Sequence, residues 1–150
     1  MSTFRYSAEI FSSPEFVWKV LIDVERWPEW TPTVTRVERL EAGALALGSR
    51  TRIWQPGLMT TVWEVTELDP ATGIFVWRTG RPGVKVIAVH DIKPAPGGST
   101  YLTLALTYGG LLGPFMAMQL KHLNWEYLTR EAQGLKARCE QSLSDNAAAP

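Results

Sequence analysis

The sequence is short of most features that mark a specialised chain. It has one cysteine, Cys139, so no internal disulfide can form and the cytosol is the expected compartment. It has two histidines, too few for a clustered zinc site. It has no excess charge: 15 basic residues balance 15 acidic ones. Nucleic-acid binding needs a basic stripe, and a membrane patch needs clustered cations, so neither is expected. No apolar run reaches the roughly 20 residues of a membrane span. The opening residues Met1 to Arg5 lack the basic, apolar, small-residue order of a signal peptide. The stretch Gly109-Gly110-Leu111-Leu112-Gly113 precedes a helix but carries neither the lysine nor the spacing of a phosphate loop. No serine stands in a nucleophile elbow, and Cys139 has no evident activating neighbour. No cofactor or metal is expected.

What is present is an ordinary globular composition with one excess. The 150 residues suit a single domain that can bury a core without staples. That domain is expected over 1–141, with a disordered tail at 142–150. Seven tryptophans are many for this length. Tryptophan is large and carries an N–H that needs a partner when buried. Such side chains either fill a wide core or wall a hollow.

Periodicity gives the order of elements. Residues 3–11 alternate Phe4, Tyr6, Ala8 and Ile10 against polar neighbours, as a half-buried strand does. Ser12-Ser13-Pro14-Glu15 then opens a helix to about Ile22, with serine as cap and Pro14 in the first turn. Asp23 is expected to cap a second short helix, stopped by Pro28 and Pro32. Six strands follow near 34–40, 48–55, 60–69, 73–79, 84–94 and 99–108. Their short, Gly- and Pro-marked connections favour antiparallel neighbours. The last element is one long helix from Pro114 to roughly Gln141. The predicted architecture is therefore α+β: a seven-stranded curved antiparallel sheet, two short helices after the first strand, and a long C-terminal helix covering the apolar face.

This order is the helix-grip arrangement, and several stretches match it. Residues 12–32, SSPEFVWKVLIDVERWPEWTP, resemble the opening of the START-like (SRPBCC) superfamily of polyketide cyclase/dehydrase and lipid-transport type. Arg81-Pro82-Gly83-Val84 with Val89-His90, Gly109 to Pro114, and Glu131 to Lys136 are similar to later parts of the same group. The resemblance implies a cavity between sheet and helix that takes varied apolar ligands, with enzymes only in some members. Fold alone does not fix function.

Polar residues on apolar faces carry the sharper inference. On a helical wheel Phe115, Gln119, His122, Glu126, Arg130 and Gln133 share one side, assigned to solvent. Met116, Leu120, Leu123, Tyr127, Leu128 and Leu135 lie opposite, and Asn124 and Glu131 sit among them, two turns apart. A buried polar group without a partner costs about 1–3 kcal/mol. Either a neighbour satisfies these two, an arginine from the sheet in the case of Glu131, or they face a cavity and orient a ligand. Gly134 beside them is expected to let helix and sheet approach closely. On the strand at 84–94, Ala88 and His90 fall in the inward set. On the last strand Leu102, Leu104, Leu106 and Tyr108 form the inward set. Arg50 and Arg52, with Trp54, form either a carboxylate clamp or a solvated outer face, the latter favoured.

The candidate ligand-binding set is Trp27, Trp30, Trp63, Phe75, Trp77, Ala88, His90, Leu104, Leu120, Asn124, Tyr127 and Glu131. The leading expectation is a binding or carrier module for a small apolar molecule, lipid-, isoprenoid- or polyketide-like. The alternative is a polyketide aromatase/cyclase in which His90 moves the proton. A third reading is a protein-interaction module with a filled core.

Overall fold

The computed structural model describes residues 2–148, with side chains described as far as Gln141. The expected tail at 142–150 lies outside the residues whose side chains are described. Strand β1 (Ser2–Ile10) leads to helix α1 (Pro14–Ile22), then to a 3-10 helix over Val24–Glu29. Six strands follow: β2 (Arg36–Arg39), β3 (Arg50–Trp54), β4 (Thr61–Asp69), β5 (Ile74–Arg81), β6 (Val84–Pro94) and β7 (Thr100–Gly109). Helices α2 (Gly113–Gln119) and α3 (Lys121–Ala148) complete the order.

Local chemistry explains the boundaries. Ser13 caps α1, its Oγ accepting from the Phe16 N–H at 3.3 Å, and Pro14 takes the first helical position. Asp23 holds the N-cap position of the next element, as expected, but its side chain makes no cap hydrogen bond; the carboxylate pairs with Arg26 at 3.3 Å. The sheet order is β1-β7-β6-β5-β4-β3-β2, antiparallel throughout. Short connections make each strand the neighbour of the next, and β1 closes onto β7. A register shift between Val65 and Glu67 adds a residue to β4, the irregularity that bends a strand.

The two faces of the sheet differ in chemistry. The outer face carries polar ladders: Thr3 with Thr107 and Ser7 with Thr103 across β1 and β7, Arg78 with Glu64, Lys93 with Asp91. Arg50 pairs with Glu41 and Arg52 with Glu38, so these arginines form no clamp inside the fold. The inner face is apolar, with Trp63, Val65, Phe75, Trp77, Ile92, Leu102 and Leu104 buried on it.

The single C-terminal helix of the sequence expectation is two helices. The chain breaks at Leu120, whose backbone sits at φ −101° and ψ 13°. Each side has its own anchor. The start of α2 is tied to the β5–β6 hairpin, where the Leu112 N–H donates to the Gly83 carbonyl at 2.8 Å. Helix α3 packs on β1 and α1. At its far end Gly134 meets the carbonyl of Trp30, so the close approach is to the chain after the 3-10 helix and not to the sheet. A Cβ at 134 would lie 2.1 Å from that oxygen, closer than two bonded-out atoms can sit. Among the described residues no helix is long and apolar enough to cross a membrane.

Candidate functional site

Between the inner face of the sheet and the helices lies a hollow of about 470 Å³, within the usual range for small-molecule pockets. Its wall is built from the alternation of the strands. Trp63 on β4, Trp77 on β5, Ala88 and His90 on β6 and Leu104 on β7 all turn inward onto it. Trp27 enters from the 3-10 helix. The indoles form a continuous surface: Trp27 lies 5.2 Å from Trp77 and Trp63 5.6 Å from Trp77. Two of their N–H groups are satisfied elsewhere, Trp27 Nε1 by the Leu21 carbonyl at 2.8 Å and Trp63 Nε1 by Thr61 Oγ1 at 2.9 Å. What Trp27 and Trp63 offer the hollow is therefore hydrocarbon.

Thr33, Gln55, Thr61, Thr79 and Arg81 also border the hollow, and two pairs of polar residues interrupt its wall. The first is His90 with Glu131. His90 is 2% exposed and stacks on Phe75 at 4.7 Å, with Trp27 at 5.7 Å. Its Nδ1 lies 3.1 Å from the Phe75 carbonyl. A carbonyl only accepts, so Nδ1 carries the hydrogen and Nε2 faces the helix. There Nε2 is 3.7 Å from Glu131 Oε1, which is beyond hydrogen-bond reach but close enough for an ion pair. The partner of Glu131 is thus this histidine and not an arginine.

The second is Asn124 with Tyr108. Asn124 is 3% exposed. Its Oδ1 accepts from the Tyr108 hydroxyl at 3.0 Å, while its Nδ2 has no partner although it is buried. Both residues border the hollow. Burial pushes the Tyr108 phenol above its ordinary pKa, opposed by the bond to Asn124, so it stays a neutral donor.

The mouth is formed by the β3–β4 loop, the β5–β6 hairpin and α2, with Met59, Pro82 and Leu112 among its rim. The Tyr127 hydroxyl donates to the Pro56 carbonyl and ties that loop to α3. Burial raises the Tyr127 phenol as well.

The structure brings together ten of the twelve residues expected from sequence: Trp27, Trp63, Trp77, Ala88, His90, Leu104, Leu120, Asn124, Tyr127 and Glu131 all border the hollow. Trp30 and Phe75 do not. Trp30 packs against Trp27 and carries the carbonyl that Gly134 accommodates. Phe75 is wholly buried behind His90. Tyr108 was legible as inward-facing, but its hydroxyl as half of a polar pair was not. The rim residues lie in loops, where no periodicity marks them. His122 is exposed, as the wheel placed it. Cys139 is fully buried, and that burial pushes its thiol up to about 12, so it is inert as a nucleophile. No group of three or more possible metal ligands exists among the described residues.

Known structures share this architecture. The Zhui aromatase/cyclase from a Streptomyces species superposes with a TM-score of 0.78 over 95% of both chains at 18% identity. The di-domain aromatase/cyclase BexL gives 0.71 at 18% identity, with 93% of this chain matching 47% of that one. The major latex-like protein 151 of Panax ginseng gives 0.76 at 11% identity, over 92% of this chain and 97% of that one. At these identities the likeness is one of fold. No curated protein matches the sequence. The profile of one family matches residues 1–140, nearly the whole chain. The chain belongs to the family described as polyketide cyclase / dehydrase and lipid transport, and its helix-grip sheet and helices are that family's fold.

Proposed function

We propose that this protein binds or carries a small, mostly apolar molecule in the hollow between its sheet and its C-terminal helices. The observation that carries the reading is the wall itself: about 470 Å³ bounded by tryptophan and aliphatic surface, with two pairs of polar residues and no side chain filling it. A well-packed interior leaves few voids larger than a water molecule. A hollow of this size forgoes packing that the same residues could make, and an apolar occupant restores it. Lipid-, isoprenoid- and polyketide-like molecules fit the chemistry of the wall. A buried free thiol at Cys139 suits a cytoplasmic setting.

One observation favours a second reading, an aromatase/cyclase-type enzyme. His90 and Glu131 face the hollow as a possible proton-transfer pair, and two proteins of like fold are aromatase/cyclases. The distance between the two pairs weighs against a simple version. Asn124 and Glu131 are separated by seven residues of helix, about 10 Å. A carbonyl held at Asn124 is therefore out of reach of His90, which would have to act on a different carbon of the same substrate.

Native mass spectrometry of protein purified from its host tests the first reading. A retained molecule, lost on denaturation, is the expected result. A chain that arrives empty and also fails to bind an apolar fluorophore would end it. If turnover of a polyketide is found, His90→Ala should abolish it with little change in affinity. Equal loss of both would return His90 to simple binding.

A further inference from the structure

The rim of the hollow is apolar on its outside as well as its inside. On α2, Met116 borders the hollow and Ala117 is buried, but Phe115 and Met118 do not border it and stand exposed. The turn into α2 adds Leu111, which is 97% exposed. It also adds Leu112, exposed as well, whose side chain lies over Gly83 of the β5–β6 hairpin. Met59 of the β3–β4 loop is exposed on the same rim. Half of the large apolar residues exposed among the described residues are these five. Scattered singly, such residues need no explanation; gathered at one end, they mark a surface that something covers.

Charge at this rim is of one sign. Residues 53–63, 79–90 and 109–125 build the rim, and they contain Arg81, Lys85 and Lys121 and not one Asp or Glu. The whole chain, by contrast, balances 15 basic residues with 15 acidic ones. Arg81 reaches from the hairpin to the Thr60 carbonyl at 3.4 Å. With Lys85, Arg50 and Arg78 it borders a groove on the outer side of the hairpin. Arg50 and Arg78 are paired there, with Glu41 and Glu64. Arg81, Lys85 and Lys121 meet no carboxylate among the described residues. No single stretch of sequence carries this cluster. The hydrogen bond from the Leu112 N–H to the Gly83 carbonyl brings α2 beside the cations of the hairpin, so a net charge of zero does not report it.

The chemistry of the rim selects its partner. A second copy of the chain would set like charges against like. A protein partner needs a face that packs at interior density. Here the apolar groups are separate tips on three segments, with Leu111 projecting from a turn. A bilayer deforms around such tips, and its anionic headgroups lie where the ends of the neighbouring cations reach. We propose that the mouth of the hollow is a peripheral docking surface for an anionic phospholipid bilayer. Leu111, Leu112, Phe115, Met118 and Met59 enter the headgroup layer, and Arg81, Lys85 and Lys121 lie against lipid phosphates. No segment of the chain crosses the bilayer in this arrangement, and it holds whatever occupies the hollow.

Cosedimentation of the full chain with vesicles tests the proposal. Two compositions are compared: phosphatidylcholine alone, and phosphatidylcholine with about one third phosphatidylglycerol. The chain is expected to bind the anionic vesicles at least tenfold more tightly than the neutral ones at about 0.15 M salt, and to lose most of that advantage at about 1 M. Phe115→Ser with Met118→Ser changes two exposed side chains and should weaken binding at least tenfold. Arg81→Gln with Lys85→Gln should weaken binding to anionic vesicles about tenfold and leave neutral vesicles unaffected. Tyr101→Ser alters an exposed apolar residue at the opposite end of β7 and should bind as wild type. A thermal melt of each variant shows that it is folded. Failure of the wild type to pellet with anionic vesicles overturns the proposal, as does undiminished binding of the Phe115→Ser, Met118→Ser variant. A wild-type dimer in sedimentation equilibrium that this variant turns into a monomer also overturns it, because a second copy then covers the face.

Discussion

The helical layer over the sheet does two jobs, and its halves are built differently. The C-terminal half of α3 packs. Ala132, Leu135 and Cys139 are buried there, Gly134 lets the backbone meet Trp30, and Arg138 and Lys136 reach Glu29 and the Glu9 carbonyl. The N-terminal half, from α2 through Tyr127, roofs the hollow. Few of its side chains are buried, and Phe115, Met118 and Trp125 stand exposed. The change falls at the Glu131 turn. Below it the helix meets protein. Above it the helix faces a space that protein leaves empty. The void therefore lies between two anchors of the helical layer, the start of α2 on the β5–β6 hairpin and Gly134 of α3 on Trp30.

That contrast can be broken at its strong end. Leu135→Ala removes a side chain enclosed on all sides and should destabilise by about 2–5 kcal/mol. Leu120→Ala, made in the roof, enlarges an existing space and should cost about 1 kcal/mol or less. Denaturant midpoints of the two variants give the comparison directly. Similar losses at both positions would mean the roof is packed as tightly as the anchor.

The packed end also sets a limit in pH. Burial raises the Cys139 thiol from 9.0 to about 12. The folded state then holds this proton more tightly than the unfolded one. The stability this contributes is complete below pH 9 and falls as pH rises toward 12, by roughly 1.4 kcal/mol per pH unit. Cys139→Ala should flatten that part of the melting-temperature profile. An unchanged slope between pH 9 and 11 would show that the thiol is already open to solvent.

How far the sequence foretold this division depends on what kind of signal each part carries. The strands followed from alternation, and all seven fall within a few residues of their expected places, because a sheet with one buried face writes its period into the chain. His90, Asn124 and Glu131 were legible as polar residues on apolar faces. Their partners were not: the Tyr108 hydroxyl and the Phe75 carbonyl meet them only through pairing between distant strands and helix. The break at Leu120 was also hidden. No proline or glycine marks it, and it follows from two anchors, at Gly83 and at Trp30, that no local window contains. Trp30 and Phe75 show the same limit from the other side. Composition makes every tryptophan a candidate wall, and only the fold decides which of them stand behind it.

The roof can be tested by filling the space beneath it. Ala88 is the smallest inward residue of β6 beside the hollow. In a packed core Ala88→Leu would strain its neighbours by about 1–3 kcal/mol. Over a void it should change stability by less than about 1 kcal/mol and weaken binding of any apolar probe by about tenfold. Calorimetric melting and a fluorescence titration on the same sample separate the two outcomes. A large loss of stability with unaltered affinity would place Ala88 in the core.

The gentlest test lies at the mouth. Tyr127 joins the roof to the β3–β4 loop by one hydrogen bond from its hydroxyl to the Pro56 carbonyl, and that loop contributes Gly57, Leu58 and Met59 to the rim. Leu123 of the same helix also lies beside Gly57 of the loop. Tyr127→Phe removes the bond and keeps the ring, so it should lower stability by about 1 kcal/mol. Its effect on binding has a direction that packing arguments alone do not give. If the loop closes the hollow, freeing it speeds both entry and exit by a few fold and leaves the equilibrium affinity nearly unchanged, because the bond exists in both empty and filled states. Stopped-flow fluorescence with an apolar probe reads both rates. Should the dissociation rate alone rise, with affinity falling in step, Tyr127 touches the ligand and the loop is wall and not gate.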